Sequence, residues 1–193
     1  MPYPALALIE FDSIAAGILA GDAMVKTAPV ARIVAGTVHP GKFLVLVTGD
    51  VAPVQEALTA GLAAGSGAVI DHVFLPGVHP DVPDAIASAR QPRIDEALGI
   101  VETSSAAAAI SAADAGLKAA QVTLLELRLA DGLGGKGLAF FAGTVTDVEA
   151  ALDAACAAID RGGALVNALV IPQLHPEMAA TLLNSTRFSS LTG

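Results

Sequence analysis

Two stretches of this chain are near-copies of one another. Ala5-Leu-Ala-Leu-Ile-Glu10, Ser13, Asp22-Ala23 and Lys26 align without a gap onto Ala97-Leu-Gly-Ile-Val-Glu102, Ser105, Asp114-Ala115 and Lys118, a displacement of 92 positions in a chain of 193. Alanine identities carry little weight in so Ala-rich a sequence. The matches that count are Leu6/Leu98, Glu10/Glu102, Ser13/Ser105, Ile18/Ile110, Asp22/Asp114, Lys26/Lys118 and Val30/Val122. The likeness resumes at Gly41-Lys42/Gly135-Lys136, Gly49/Gly143 and His79-Pro80/His175-Pro176, displaced by 94 and then 96, so short insertions separate the copies. A period this long is a duplicated domain and not a solenoid repeat. It predicts two similar domains of about 90 residues each: residues 4–89, a charged linker at 90–96, residues 97–183, and a polar, loosely held tail at 184–193.

The composition asks for more burial than one chain provides. Apolar residues make up 54% and charged residues 15%, and the mean hydropathy is +0.66. Yet no run approaches the roughly 18 apolar residues of a membrane span. There is no leader-like N-terminus, so a cytosolic protein with apolar contacts between subunits is expected. The net charge of −9 without any Lys/Arg cluster argues against nucleic-acid binding. The single cysteine, Cys156, rules out an intramolecular disulfide and sits in an apolar helical stretch as a small buried filler.

Periodicity predicts one order of elements, twice. In the first copy these are a buried strand at Ala5–Glu10, a helix capped by Ser13 and ended by Lys26 and Pro29, strands Val30–Val38 and Lys42–Thr48, a helix Val51–Ala64, a strand Ala68–Leu75 and a short helix Pro80–Ala89. The second copy repeats this at 97–102, 105–119, 122–130, 136–142, 145–160, 164–171 and 176–183. Each copy therefore reads β-α-β-β-α-β plus a terminal helix, an α+β domain with its two main helices on one sheet face. Alanine on the first helix of each copy (Ala15, Ala16, Ala20, Ala23; Ala106–Ala109, Ala112, Ala113) has two readings: good helix formers filling space, or faces that must approach a neighbouring backbone closely.

The ordered set Leu-Ile-Glu10, Gly-Asp22-Ala-Met-Val-Lys26, Pro-Gly-Lys42-Phe, Gly49-Asp50-Val51 and Leu75-Pro-Gly-Val-His79-Pro80, with its second-copy counterparts, resembles the bacterial microcompartment shell domain. Two such domains in tandem resemble the trimer-forming (T-type) shell proteins, above all those of propanediol-utilisation compartments. The likeness covers roughly residues 4–180. It implies ferredoxin-like sheets and a homotrimer whose six domains imitate a hexagonal tile with a central pore. The partners it implies are other shell proteins at the tile edges, enclosed enzymes, and small metabolites crossing the pore, with no membrane or nucleic-acid partner. Lys26 and Lys118 take the place of the family's tile-edge lysines; the plainer reading is a solvated lysine at a helix C-terminus. The edge arginine found in many shell domains is absent from both copies.

The resemblance assigns the pore rim to the turns Thr37-Val38-His39-Pro40-Gly41 and Asp131-Gly132-Leu133-Gly134-Gly135. In the propanediol-type relatives a cysteine stands at the position of His39, and three of these hold an iron–sulfur cluster. His39 cannot serve that cluster as a thiolate, so no cofactor is expected. The readings that stand for His39 are a polar pore-lining side chain, a three-His metal site on the threefold axis, a histidine-ligated cluster, and a turn residue off the axis. His79 and His175, each before a proline, read as turn or cap residues, and His72 as a surface residue on a strand. An enzyme is not expected: no nucleophile–base pair or carboxylate pair is present, and Gly132-Leu-Gly-Gly-Lys136 is too short for a phosphate loop. A small-ligand-binding regulatory trimer of ferredoxin-like domains is the alternative to a shell tile.

Overall fold

The computed structural model describes residues 4–87, 94, 96–159 and 162–187. The first copy runs β1 (Ala5–Phe11), α1 (Ile14–Thr27), β2 (Arg32–Val38), β3 (Lys42–Gly49), α2 (Val51–Ala64), β4 (Val69–Leu75) and α3 (Asp81–Ile86). The second runs β5 (Ala97–Thr103), α4 (Ala106–Ala119), β6 (Thr123–Leu129), β7 (Gly137–Gly143), α5 (Val145–Ile159), β8 (Leu165–Ile171) and α6 (Pro176–Asn184). The sheets are ordered β2-β3-β1-β4 and β6-β7-β5-β8, and every neighbouring pair is antiparallel. This is the expected α+β domain, twice. Even the bulge is repeated: β1 slips against β4 after Glu10, and β5 slips against β8 after Glu102.

Local chemistry sets the helix starts. Ser13 Oγ accepts from the Ala16 N–H at 3.3 Å, and Ser105 Oγ accepts from the Ala108 N–H at 3.1 Å, the N-cap geometry that satisfies an orphan helix donor. The short helix predicted for Pro80–Ala89 is confined to Asp81–Ile86; the end of that range, like most of the linker at 90–96 and residues 188–193, lies outside the described residues. Of the tail, Asn184 closes α6. Thr186 is tied to β6 and so is not loose: its hydroxyl donates to Glu126 at 3.0 Å and accepts from Arg128 at 3.2 Å.

All seven residues of β1 are buried, because both faces of the first sheet are covered there. Ala5, Ala7, Ile9 and Phe11 pack under α1 and α2 with Met24, Val54 and Leu58. Leu6 and Leu8 look the other way and share a cluster with Val73 and with Ala106, Ala109, Ile110 and Ala113 of α4. The second domain thus lays its first helix across the open face of the first domain's sheet. On α4 the close-approach reading of the alanines holds, since Ala106–Ala109, Ala112 and Ala113 are all buried. Gly137 of β7 shows how near the strand comes to this helix: a Cβ there would sit 2.4 Å from Ala109 Cβ and 2.8 Å from Ser105 O.

Candidate functional site

The two hairpin turns that the sequence singled out meet at one end of the molecule. In the first, the His39–Pro40 peptide is cis and the Gly41 N–H donates to Val38 O at 2.9 Å, the geometry of a type VI turn. In the second, Ala130 N–H donates to Lys136 O at 2.9 Å, with Gly132, Gly134 and Gly135 at positive φ. Lys42 Nζ donates across to Gly135 O at 3.3 Å. A Cβ on Gly135 would lie 2.9 Å from that Nζ and 3.1 Å from Pro40 Cδ, so the φ of +88° favours glycine there and a side chain would also push the lysine aside. His39 Nδ1 lies 2.8 Å from Asp131 Oδ1, and both side chains are solvent-exposed. Hydrogen bonding to His39, helped by the charge of Arg187 4.0 Å away, holds the Asp131 carboxyl below its ordinary range.

Among the described residues of one chain no three His, Cys, Asp or Glu side chains cluster as a metal site. A His39 metal site would therefore need three chains. With Nδ1 engaged by Asp131, each imidazole offers Nε2, the carboxylate-held arrangement common to metal-ligating histidines. Cys156 lies far along the chain on α5, where burial and Asp153 push its thiol up. His79 and His175 are capping residues: their Nδ1 atoms accept from the N–H groups of Asp81 and Glu177, each at 3.3 Å. Lys26 and Lys118 sit apart from the turns, in the last turns of α1 and α4. Each pairs with the aspartate one turn earlier, Asp22 at 2.6 Å and Asp114 at 2.5 Å.

Sequence reasoning did not see how the domains are joined. Glu10 is fully buried; it accepts from Lys42 Nζ at 2.6 Å and from the Ala106 N–H at 2.8 Å. Its charge therefore sits on the positive end of α4. Ser105 donates to Asp71, and the His79 N–H donates to Asp114 Oδ1 at 2.8 Å. The signal was available: every one of these positions has a counterpart able to make the same contact. Glu102, Lys136, Asn167 and His175 correspond to Glu10, Lys42, Asp71 and His79, while Ile14, Ser13 and Asp22 correspond to Ala106, Ser105 and Asp114.

In one chain those counterparts are more exposed than the residues they correspond to. Ile110 of α4 is 0% exposed, but the corresponding Ile18 of α1 is 57% exposed. Val73 of β4 is 7% exposed, against 39% for the corresponding Leu169 of β8. Glu102 keeps Lys136 at 2.6 Å, but its side chain is 31% exposed where that of Glu10 is 0%.

The BMC domain family matches twice, at residues 5–78 and 97–174. The bacterial microcompartment shell protein PduT of Citrobacter freundii is 42% identical over 174 residues, 90% of this chain and 95% of that protein. The shell protein EutM of Salmonella typhimurium is 42% identical over 83 residues, 43% of this chain and 84% of its own. Among solved structures, a microcompartment protein from Desulfitobacterium hafniense superimposes with a TM-score of 0.80 at 43% identity, covering 91% of this chain and 98% of that one. With the family matched over both domains, and a full-length relative on either side of the comparison, this chain belongs to the BMC-domain family of bacterial microcompartment shell proteins.

Proposed function

We propose that three copies of this chain close into a six-domain tile with a central opening. The observation that carries this is the half-made joint: each chain completes one domain–domain contact and exposes both surfaces needed to make the same contact again. A head-to-tail contact of this kind generates a ring when its rotation closes. Two domains per chain and six positions per ring give three chains. His175 of one protomer then donates to Asp22 of the next, Glu102 receives the Ile14 N–H, and Leu169 covers Ile18.

In that ring the turns at Thr37–Gly41 and Asp131–Gly135 alternate around the opening, since the first joint already sets one beside the other. The rim carries three His39–Asp131 pairs, and at the intervening positions Leu133 faces Thr37. A rim of this kind passes small polar metabolites and needs no catalytic group; the tile's work is structural. Lys26 and Lys118 fall on the outer border, available to other shell proteins.

Negative-stain imaging of purified protein tests the reading. Sheets or tubes of hexagonal tiles are expected, whereas discrete trimers stabilised only by a ligand would favour a regulatory sensor. For His39, metal analysis of untagged protein beside the His39→Ala variant is decisive. Stoichiometric metal lost on substitution establishes a three-imidazole site, and equal, negligible content establishes a purely polar rim.

A further inference from the structure

The second hairpin turn is served by a polar network that the first lacks. Five residues separate Ala130 from Lys136, against three between Val38 and Lys42. Three of the five are glycines, each at positive φ, so fixing this turn costs more conformational entropy than fixing the first. Arg128 offsets that cost. Its Nη2 donates to Asp131 O at 3.3 Å, and a Cβ on Gly132 would meet the same nitrogen at 3.4 Å, so the guanidinium lies against the turn. In the sheet registers, Gly36 opposite Leu44 corresponds to Arg128 opposite Leu138, and the first turn therefore has no such side chain.

The guanidinium is itself held from the C-terminal side of the chain. Arg128 Nη1 donates to Thr186 Oγ1 at 3.2 Å, and that hydroxyl donates to Glu126 Oε1 at 3.0 Å. Thr186 thus gives its one proton to a carboxylate and a lone pair to a guanidinium, which only a hydroxyl can do. Val34 stands where the second copy has Glu126, so this support too is particular to the second domain. Next in the chain, Arg187 brings a guanidinium to 4.0 Å from Asp131 Oδ2.

His39 stands at the far end of these contacts. The Asp131 carboxyl is held below its ordinary range, so at neutral pH it is ionised and has no proton to donate. The 2.8 Å contact with His39 Nδ1 is then an N–H donating to a carboxylate. A histidine's tautomer follows the hydrogen bond that one of its nitrogens makes, and here it is Nδ1–H, the reverse of the form a free histidine favours in water. We propose that Arg128 and Thr186 are positioning residues for the opening: they hold the Asp131 turn, Asp131 holds His39 as its Nδ1–H tautomer, and Nε2 is left as a bare hydrogen-bond acceptor. The network lies within one chain. Its consequence for the opening rests on the six-domain reading, in which three such acceptors stand at the rim and offer themselves to molecules that donate hydrogen bonds.

Long-range proton–nitrogen NMR correlation through the imidazole ring reads the tautomer in the full chain at about pH 8, where the ring is neutral. The His39 signals are assigned by their absence from His39→Ala. Wild type is expected as Nδ1–H. Arg128→Met, which keeps the aliphatic stem, and Thr186→Val, which keeps the shape without the hydroxyl, should each lower the ratio of Nδ1–H to Nε2–H by about fivefold or more. Thr186→Ser restores the hydroxyl and should restore the wild-type signature, whereas a packing role for Thr186 would leave serine no better than valine. A wild-type His39 that is mainly Nε2–H overturns the proposal, and so does a ratio unchanged in both Arg128→Met and Thr186→Val. Sedimentation of the same samples tests the six-domain reading separately: a monomeric wild type ends that reading, while the tautomer ratios still decide whether Arg128 and Thr186 hold the turn.

Discussion

Replacing Glu10 and Glu102 in turn separates a closed ring from a lone chain. In one chain the two are unequal. Glu10 is fully buried, with Lys42 Nζ at 2.6 Å, the Ala106 N–H at 2.8 Å, and a Lys42 side chain only 18% exposed. Its removal leaves a largely desolvated ammonium and an orphan helix N–H, a loss of about 3–5 kcal/mol for a broken buried pair. A chain of this size loses roughly 2–4 °C of melting temperature per kcal/mol, so Glu10→Ala should melt about 10 °C below wild type. Glu102, partly exposed and paired with a half-exposed Lys136, behaves in a lone chain as a surface bridge, at about 0–1 kcal/mol. In the ring, Glu102 receives the next chain's Ile14 N–H and is buried as Glu10 is. The two variants should then be equally destabilised. Thermal unfolding followed by circular dichroism at several protein concentrations reads the difference. A Glu102→Ala melting temperature within about 3 °C of wild type, beside a Glu10→Ala loss of about 10 °C, would refute ring closure through this joint.

Three further outcomes follow from the same geometry. Ile18→Asp places a charge on the exposed stripe of α1, which is free in one chain and buried in the ring; it should give folded monomers by analytical ultracentrifugation, and persistent trimers would contradict the joint. Gly135→Ala adds a methyl where Lys42 Nζ lies 2.9 Å away and φ is +88°; a loss of about 1–3 kcal/mol is expected by denaturant titration, whereas Gly134→Ala, strained but with open space around it, should cost less. The Asp131 carboxyl is depressed by His39, so the hold on this carboxylate is fully present above its unfolded value near 3.8 and is lost as pH falls through the lower folded value. Carboxyl-detected NMR titration should find Asp131 still ionised at pH 4, and an upward-shifted midpoint in His39→Ala.

Much of the fold was legible because periodicity and capping are local. Ser13 and Ser105 announced their helices, Val51–Ala64 was bounded by Asp50 and Gly65, and the repeat made each copy check the other. The turns could be located for the same reason, as glycines and a proline between two apolar runs. What lay beyond reading was partner choice. Glu10 and Glu102 look alike in sequence, yet Glu10 clasps a helix 96 residues away in the chain while Glu102, among the described residues, holds Lys136 of its own domain. Nothing local distinguishes a carboxylate that caps its own fold from one that caps its neighbour's. The tie of Thr186 to β6 was not legible either, since its partners Glu126 and Arg128 lie 60 and 58 residues away in the chain.

Electron cryomicroscopy of the purified assembly tests the central claim most directly. A particle of three chains is predicted, with residues 37–42 and 131–136 alternating around an open threefold axis and Ile18 covered by a neighbour's Leu169. A monomer, a twofold dimer, or a ring with those turns on its outer rim would contradict it.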